Sequence, residues 1–208
     1  MSDLYIFGAG GFASEVNWMI RDTLLPTPVA FIDLVSRPNF MGKPVFTQDV
    51  FKKGDMAVIA FGDPFLREKI AKSLIDFVKP QNDKELNNLF PKVIHPSAYI
   101  GDGSSVGYGS VICHNSLITT NIKLGNFTQL NLTTTIGHDT ICGDYFTTAP
   151  QVAIAGNNRI GDRVYFGINS STIQKVNIVS GATIGAGACV VKSINAAGIY
   201  IGVPAKLK

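Results

Sequence analysis

The pair His138-Asp139, within Thr135-Ile136-Gly137-His138-Asp139-Thr140, is the clearest candidate for chemistry in this sequence. Histidine has an unperturbed pKa near neutrality, which suits it to accept and return a proton. An adjacent carboxylate can fix its tautomer and favour the imidazolium form. The same dipeptide is also an ordinary surface pair, so alone it names no reaction. His95, which precedes Pro96, and His114, which has no acidic neighbour, read as structural.

A second candidate is Gly8-Ala9-Gly10-Gly11-Phe12-Ala13, directly after the apolar run Leu4-Tyr5-Ile6-Phe7. It matches G-x-G-x-x-A, with Asp33 at the far end of the next strand, as in a dinucleotide-binding fingerprint. Only about ninety residues are available to this part of the chain, roughly half of a full doubly wound sheet, which weighs against NAD. A more modest role needs less chain. Glycines let backbone N–H groups at a helix N-terminus approach a phosphate, where the helix dipole also favours negative charge. A nucleotide diphosphate, NAD and a purely structural tight turn all stay open at this point.

What must position these residues is a repeat. From Ile94 to Val190 one position recurs every six residues, and thirteen of its seventeen occupants are Ile, Val or Leu. A helix needs a period of 3.6 and a flat sheet a period of two. Six fits a parallel β-helix of hexapeptide repeats, three hexads to a coil, with the aliphatic residues stacked inside and Gly, Asn and Asp at the corners. Ile136 then points inward, and His138 lies at or near a corner and projects outward. Cys142, at an inward position, reads as core filler. Because the register is unbroken, no inserted loop is available, and an active site here must be completed by a neighbouring subunit or by the N-terminal domain.

Before the repeat, Leu4-Tyr5-Ile6-Phe7, Val29-Ala30-Phe31-Ile32-Asp33 and Ala57-Val58-Ile59-Ala60-Phe61 read as strands, and Glu15 to Asp22 and Leu66 to Phe77 as helices. That order predicts a small parallel, Rossmann-like α/β layer over residues 1–90. Asn82 to Leu89 read as a polar connector, and residues 91–208 as the β-helix with a C-terminal cap. A net charge of +3, with no basic run, gives no case for nucleic acid. Three cysteines at no metal-type spacing, no apolar leader and no apolar run of bilayer length point to a metal-free cytoplasmic protein without membrane insertion.

The chain ends in Gly198-Ile199-Tyr200-Ile201-Gly202-Val203-Pro204-Ala205-Lys206, more particular than a cap requires. Together the glycine-rich α/β domain, the hexapeptide β-helix with an internal His-acid pair and this ending resemble the bacterial sugar O/N-acyltransferases. That family includes sialic acid O-acetyltransferases and acetyl-CoA-dependent N-acetyltransferases of nucleotide-linked 4-amino-4,6-dideoxy sugars. The resemblance spans Gly8 to Lys206 and implies that the β-helix is left-handed. It also implies a homotrimer, with acetyl-CoA between neighbouring solenoids and the nucleotide-linked amino sugar held by the N-terminal domain.

By position, His138 matches the family's general base and Asp139 its acidic partner. Gly8, Gly10, Gly11 and Phe12 match the turn that meets the nucleotide sugar, and Asp33 and Gly62 match strand ends near the base and ribose. Thr147, Ile168 and Ala186 fall where the acyl donor is contacted, and Gly156 where a backbone N–H can face the thioester oxygen. Phe12 stands where a His is common, Leu34 where some relatives carry a second Asp, and Thr147 where many have a second His. The implied activity is transfer of an acetyl group to the 4-amino group of a UDP- or dTDP-linked sugar, without metal or NAD, in surface-glycan sugar synthesis. O-acetylation of a free sugar such as sialic acid, and a nucleotide-binding scaffold with an inert solenoid, are the alternatives.

Overall fold

The computed structural model describes residues 2–208, in two compact units that divide between Val93 and Ile94. In the first unit, β1 (Leu4–Phe7) lies between β2 (Ala30–Ile32) and β5 (Met56–Ile59), parallel to both. β4 (Lys43–Phe46) adds in parallel beside β2, and β3 (Arg37–Phe40) pairs antiparallel with β4. α1 (Gly11–Ile20) follows β1, and α2 (Pro64–Val78) follows β5. The β1 side chains are buried throughout, as expected of a central parallel strand covered on both faces. α2 starts where the sequence supplies both signals: Asp63 accepts from the Phe65 and Leu66 N–H groups, and Pro64 fills the first turn.

Two features of this unit differ from expectation. The β3–β4 hairpin was not signalled, since its strands are short and β3 is almost wholly exposed. Asn82 to Leu89 is no connector: Asp83–Leu89 forms a short helix, α3. Asn82 Oδ1 accepts from the Glu85 N–H at 3.0 Å, and the Glu85 carboxylate reaches back to the Gln81 N–H at 2.9 Å. This reciprocal capping satisfies donors that a polar sequence otherwise leaves to water.

The second unit is a left-handed β-helix whose two-residue strands stack in parallel in three sheets, one of them ending in the antiparallel pair Ile199–Ile201 and Lys206–Leu207. Ile118 pairs with Ile136, Leu124 with Cys142 and Leu130 with Thr148, so each coil is eighteen residues. The hexad aliphatics fill the interior, with Phe146 and Phe166 packed edge to face at 5.9 Å. Every sixth residue from Asn115 to Lys175 has φ between 54° and 62° although none is glycine. This left-handed region costs an ordinary L-residue roughly 1–2 kcal/mol and is most readily entered by Asn and Asp. The backbone ladder between coils holds the remainder there.

At another corner Gly107, Gly125, Gly143 and Gly161 form a column, one per coil. A Cβ on Gly125 would stand 2.5 Å from the Gly143 carbonyl and 2.6 Å from the Asp144 nitrogen. Alongside runs a side-chain ladder: Asn126 N–H donates to Asp144 Oδ1 (2.7 Å), Asp144 N–H to Asp162 Oδ1 (2.9 Å) and Asp162 N–H to Ser180 Oγ (2.9 Å). At this corner the next coil's backbone leaves no room for a Cβ. Gly125→Ala is expected to destabilise the protein by roughly 1–3 kcal/mol through overpacking against backbone that cannot yield, read as a lower urea midpoint.

Candidate active site

The corner after Ile136 carries the histidine. Asp139 takes the left-handed conformation with φ 58°, which turns the chain and leaves the preceding His138 directed outward, its side chain 59% exposed. His138 Nδ1 lies 2.7 Å from Asp139 Oδ2. A carboxylate can only accept, so Nδ1 carries the hydrogen and Nε2 presents its lone pair. Hydrogen bonds from His138 and then Asn121 hold the Asp139 carboxyl below the usual carboxylate range, with further attraction from the His138 and Arg159 charges. The group is an anion at neutral pH.

Neighbouring coils complete this corner. Asn121, one coil earlier, donates from Nδ2 to Asp139 Oδ1 at 3.2 Å, so each carboxylate oxygen has its own partner. Gly103, a further coil back, makes room, since a Cβ there would collide with Asn121 Oδ1. Arg159 Nη1 donates to the Asp139 and Asn158 carbonyls at 2.7 and 3.0 Å. One coil after His138 lies Gly156, over which the imidazole packs: a Cβ on Gly156 would stand 2.7 Å from His138 Nε2 and 2.9 Å from Cδ2 and Cε1. Among the described residues, the Gly156 N–H donates to no acceptor. Sequence reasoning missed Asn121 and Arg159, although counting one coil back from Asp139 lands on Asn121.

At the carboxyl ends of the first unit's strands, the predicted glycines separate into two kinds. Gly8 is needed by the fold, with φ of +113° and a would-be Cβ 3.0 Å from the Ala60 carbonyl oxygen. Gly10, Gly11 and Gly62 face open space at that position and have no left-handed φ. Gly10 caps α1 without a side chain, leaving the first-turn N–H groups accessible, and Phe12 sits half-buried in that turn. Asp33 braces the turn, accepting from the Ala9 N–H at 3.1 Å and the Leu34 N–H at 2.7 Å, while Arg37 donates to the Ala9 carbonyl at 2.9 Å. A pocket of about 390 Å³ opens beside it, with Phe7, Ile32 and Phe61 as apolar wall and Asp33, Gln48 and Lys69 among its polar lining. The pocket takes in Asp33 but none of the glycines.

A family model, the PglD N-terminal domain, matches residues 3–74. The GDP-perosamine N-acetyltransferase of Escherichia coli O157:H7 is 27% identical over 182 residues, spanning 82% of this chain and 78% of the relative. A mutant of perosamine N-acetyltransferase from Caulobacter crescentus, with one histidine replaced by asparagine and in complex with CoA and GDP-perosamine, superposes with a TM-score of 0.87. It is 26% identical and covers 100% of this chain and 97% of its own. These similarities in sequence and fold support a bacterial nucleotide-sugar N-acetyltransferase of the hexapeptide-repeat type. The acetyltransferase domain of PglB from Neisseria gonorrhoeae, in complex with acetyl coenzyme A, is also similar, with a TM-score of 0.83 and 25% identity over 99% of this chain and 98% of that one.

In this acyltransferase the remaining predicted residues lie away from His138. Ile168 and Ala186 are exposed and stack on a different edge of the prism, where the Gly187 N–H donates to the Ile168 carbonyl at 2.8 Å. Thr147 is buried, its Oγ1 donating to the Tyr145 carbonyl at 3.1 Å. A single solenoid thus gathers His138, Asp139 and Gly156 but not Thr147, Ile168 or Ala186. His95 is buried, bonded through Nδ1 to Ser97 and stacked on His114 at 3.5 Å. Burial pushes the Cys142 thiol far up, so it stays protonated inside the coil. No helix among the described residues is long and apolar enough to cross a membrane.

The space over Gly156 yields a direct test. Its backbone can accept a side chain, but the atoms in the way belong to the mobile end of His138. Gly156→Ala is expected to leave the melting temperature nearly unchanged while displacing the imidazole and lowering kcat at least about tenfold, measured by steady-state kinetics beside thermal unfolding.

Proposed function

We propose that this acyltransferase moves the acetyl group of acetyl-CoA to the 4-amino group of a nucleotide-linked amino sugar by direct transfer, with His138 as general base. The observation that carries the reading is the orientation of the imidazole. Asp139 occupies Nδ1, so Nε2 faces outward at the Gly156 corner with a lone pair to take a proton. As the sugar nitrogen attacks the thioester carbonyl, Nε2 accepts the proton released from that nitrogen, and Asp139 offsets the charge on the ring. The Gly156 N–H is available to the oxyanion that forms, a role worth roughly 3 kcal/mol for one such donor. Collapse breaks the carbon–sulfur bond, and the proton held by His138 passes to the departing sulfur. The buried, protonated Cys142 is unsuited to act as a covalent carrier.

The nucleotide end of the α/β unit supports a nucleotide-linked acceptor. Gly10, Gly11 and Gly62 answer no steric demand of the chain itself, which fits close approach of a ligand to the backbone. Asp33, Gly8 and Phe12 shape the same turn. The Escherichia coli relative is named for GDP-perosamine and the Caulobacter crescentus structure holds it, so GDP-linked sugars stand first in the panel, ahead of the UDP- and dTDP-linked sugars expected from the sequence. Ile168 and Ala186 lie on another edge of the prism and Thr147 within a strand of one of its sheets, so their contact with an acyl donor at His138 requires a neighbouring chain. A homotrimer supplies it.

The protein is to be incubated with acetyl-CoA and GDP-, UDP- and dTDP-linked 4-amino sugars, following thiol release. N-acetylation of one of these is expected, with His138→Ala reducing kcat by roughly 10²–10⁴-fold in a folded protein. A His138→Ala variant of full activity would overturn the assignment. Light scattering is expected to give three times the 22.3 kDa chain mass.

A further inference from the structure

Inside the solenoid, beside the His138 corner, Asn158 is completely buried, and the chemistry above makes no use of it. Its position in the repeat is held in nearby coils by Thr140, Val164, Ser170 and Val176. Every polar atom of the Asn158 side chain is engaged. Nδ2 donates to the Ala155 carbonyl at 2.9 Å and to Thr172 Oγ1 at 2.7 Å, and Oδ1 accepts from the Val176 N–H at 2.8 Å. Thr140 Oγ1 adds a bond to the same Ala155 carbonyl at 3.3 Å.

These bonds replace a regular feature of the fold. In the same column, Gly101, Thr119, Gly137 and Ile173 each donate their N–H to a main-chain carbonyl one coil later. Ala155 instead donates to the side chain of Thr172, at 3.1 Å to Oγ1. Residue 155 is thus gripped on both sides by side chains, its N–H by Thr172 and its carbonyl by Asn158. The next peptide nitrogen belongs to Gly156. A trans peptide points its N–H opposite its C=O. With the Ala155 carbonyl held by Asn158 and, from the His138 coil, by Thr140, the Gly156 N–H points the opposite way, toward the following coil, as the Asn126, Asp144 and Asp162 N–H groups do at their corners, while the His138 imidazole reaches over Gly156 itself.

We propose that Asn158, together with Thr172, is a positioning residue that fixes the Ala155–Gly156 peptide so that the Gly156 N–H faces the developing oxyanion. The inference rests on the acyl-transfer reading at His138. Its physical basis is preorganisation: a donor held before reaction costs no reorganisation when charge appears. An amide suits the position because it has two donors and an acceptor for three partners in a space without water.

The repeat supplies its own control substitutions. Valine fits the position, as Val164 and Val176 show, but has no donor. A hydroxyl can reach the carbonyl three residues back: Thr128 Oγ1 donates to the Gly125 carbonyl at 3.0 Å, and Ser170 Oγ to the Gly167 carbonyl at 2.6 Å. Asn158→Val is expected to lower kcat about tenfold, less than full loss of an oxyanion donor, with KM for both substrates within about twofold. Asn158→Thr is expected to restore kcat to within about threefold of the parent. Parent kcat in Asn158→Val, or equal impairment in Asn158→Thr, would overturn the proposal. If thermal scans show Asn158→Val unfolded, Thr172→Val against Thr172→Ser makes the same comparison, with the same outcomes decisive. His138→Ala is measured in parallel. Impairment there with parent kcat in Asn158→Val rejects the positioning role alone, whereas parent kcat in His138→Ala rejects the general-base reading itself.

Discussion

The backbone ladder that joins each strand to the one eighteen residues later governs the solenoid. Two-residue strands have little pairing of their own, so each coil is held by its neighbours, as in other quasi-one-dimensional folds. The ladder brings residues an exact coil length apart into contact and keeps them there. Corners that would be strained in isolation, such as Asp139 at φ 58°, persist because the bonds on either side leave no alternative. The His138 corner follows from that constraint. Asn121 meets Asp139, and Gly156 meets His138, because each pair occupies corresponding corners of successive coils, without any loop built for the purpose.

Glycine serves two opposite ends in this chain. At Gly125 it is demanded by backbone of the next coil, and at Gly8 by a positive φ and the Ala60 carbonyl. At Gly156 the missing side chain makes room for a histidine ring, whereas Gly103 has both reasons, a φ of +72° and the Asn121 amide that steadies the acid. The first kind serves the fold and the second shapes a surface. Both look identical in sequence, because a one-letter glycine does not say what approaches it.

Much of the architecture could be read from the chain. An aliphatic residue every sixth position has no other good burial than a three-sided coil, and the parallel α/β unit is written in its apolar runs and the breaks between them. The β3–β4 hairpin and α3 were not legible: the first is short and exposed, and the second is held by caps rather than by an apolar face. Of the candidate site, the histidine and its acid stood out as residue types the repeat does not need. Asn121 and Arg159 did not, since their importance comes from partners 18 and 20 residues away.

What the sequence by itself determined was periodicity, and with it the β-helix, the inward face and the corner on which His138 stands. Periodicity assigns each residue a direction, and direction follows from local geometry alone. Only the tertiary structure decided which directions converge. It set the Asp139 carboxylate between His138 and Asn121, and it seated the imidazole over Gly156. It also diverted the Ala155 N–H from the ladder to Thr172. It placed Ile168 and Ala186 on another edge, out of reach within one chain. The reason is physical: a hydrogen bond is decided by fractions of an ångström between coils, and no count along the sequence carries that distance.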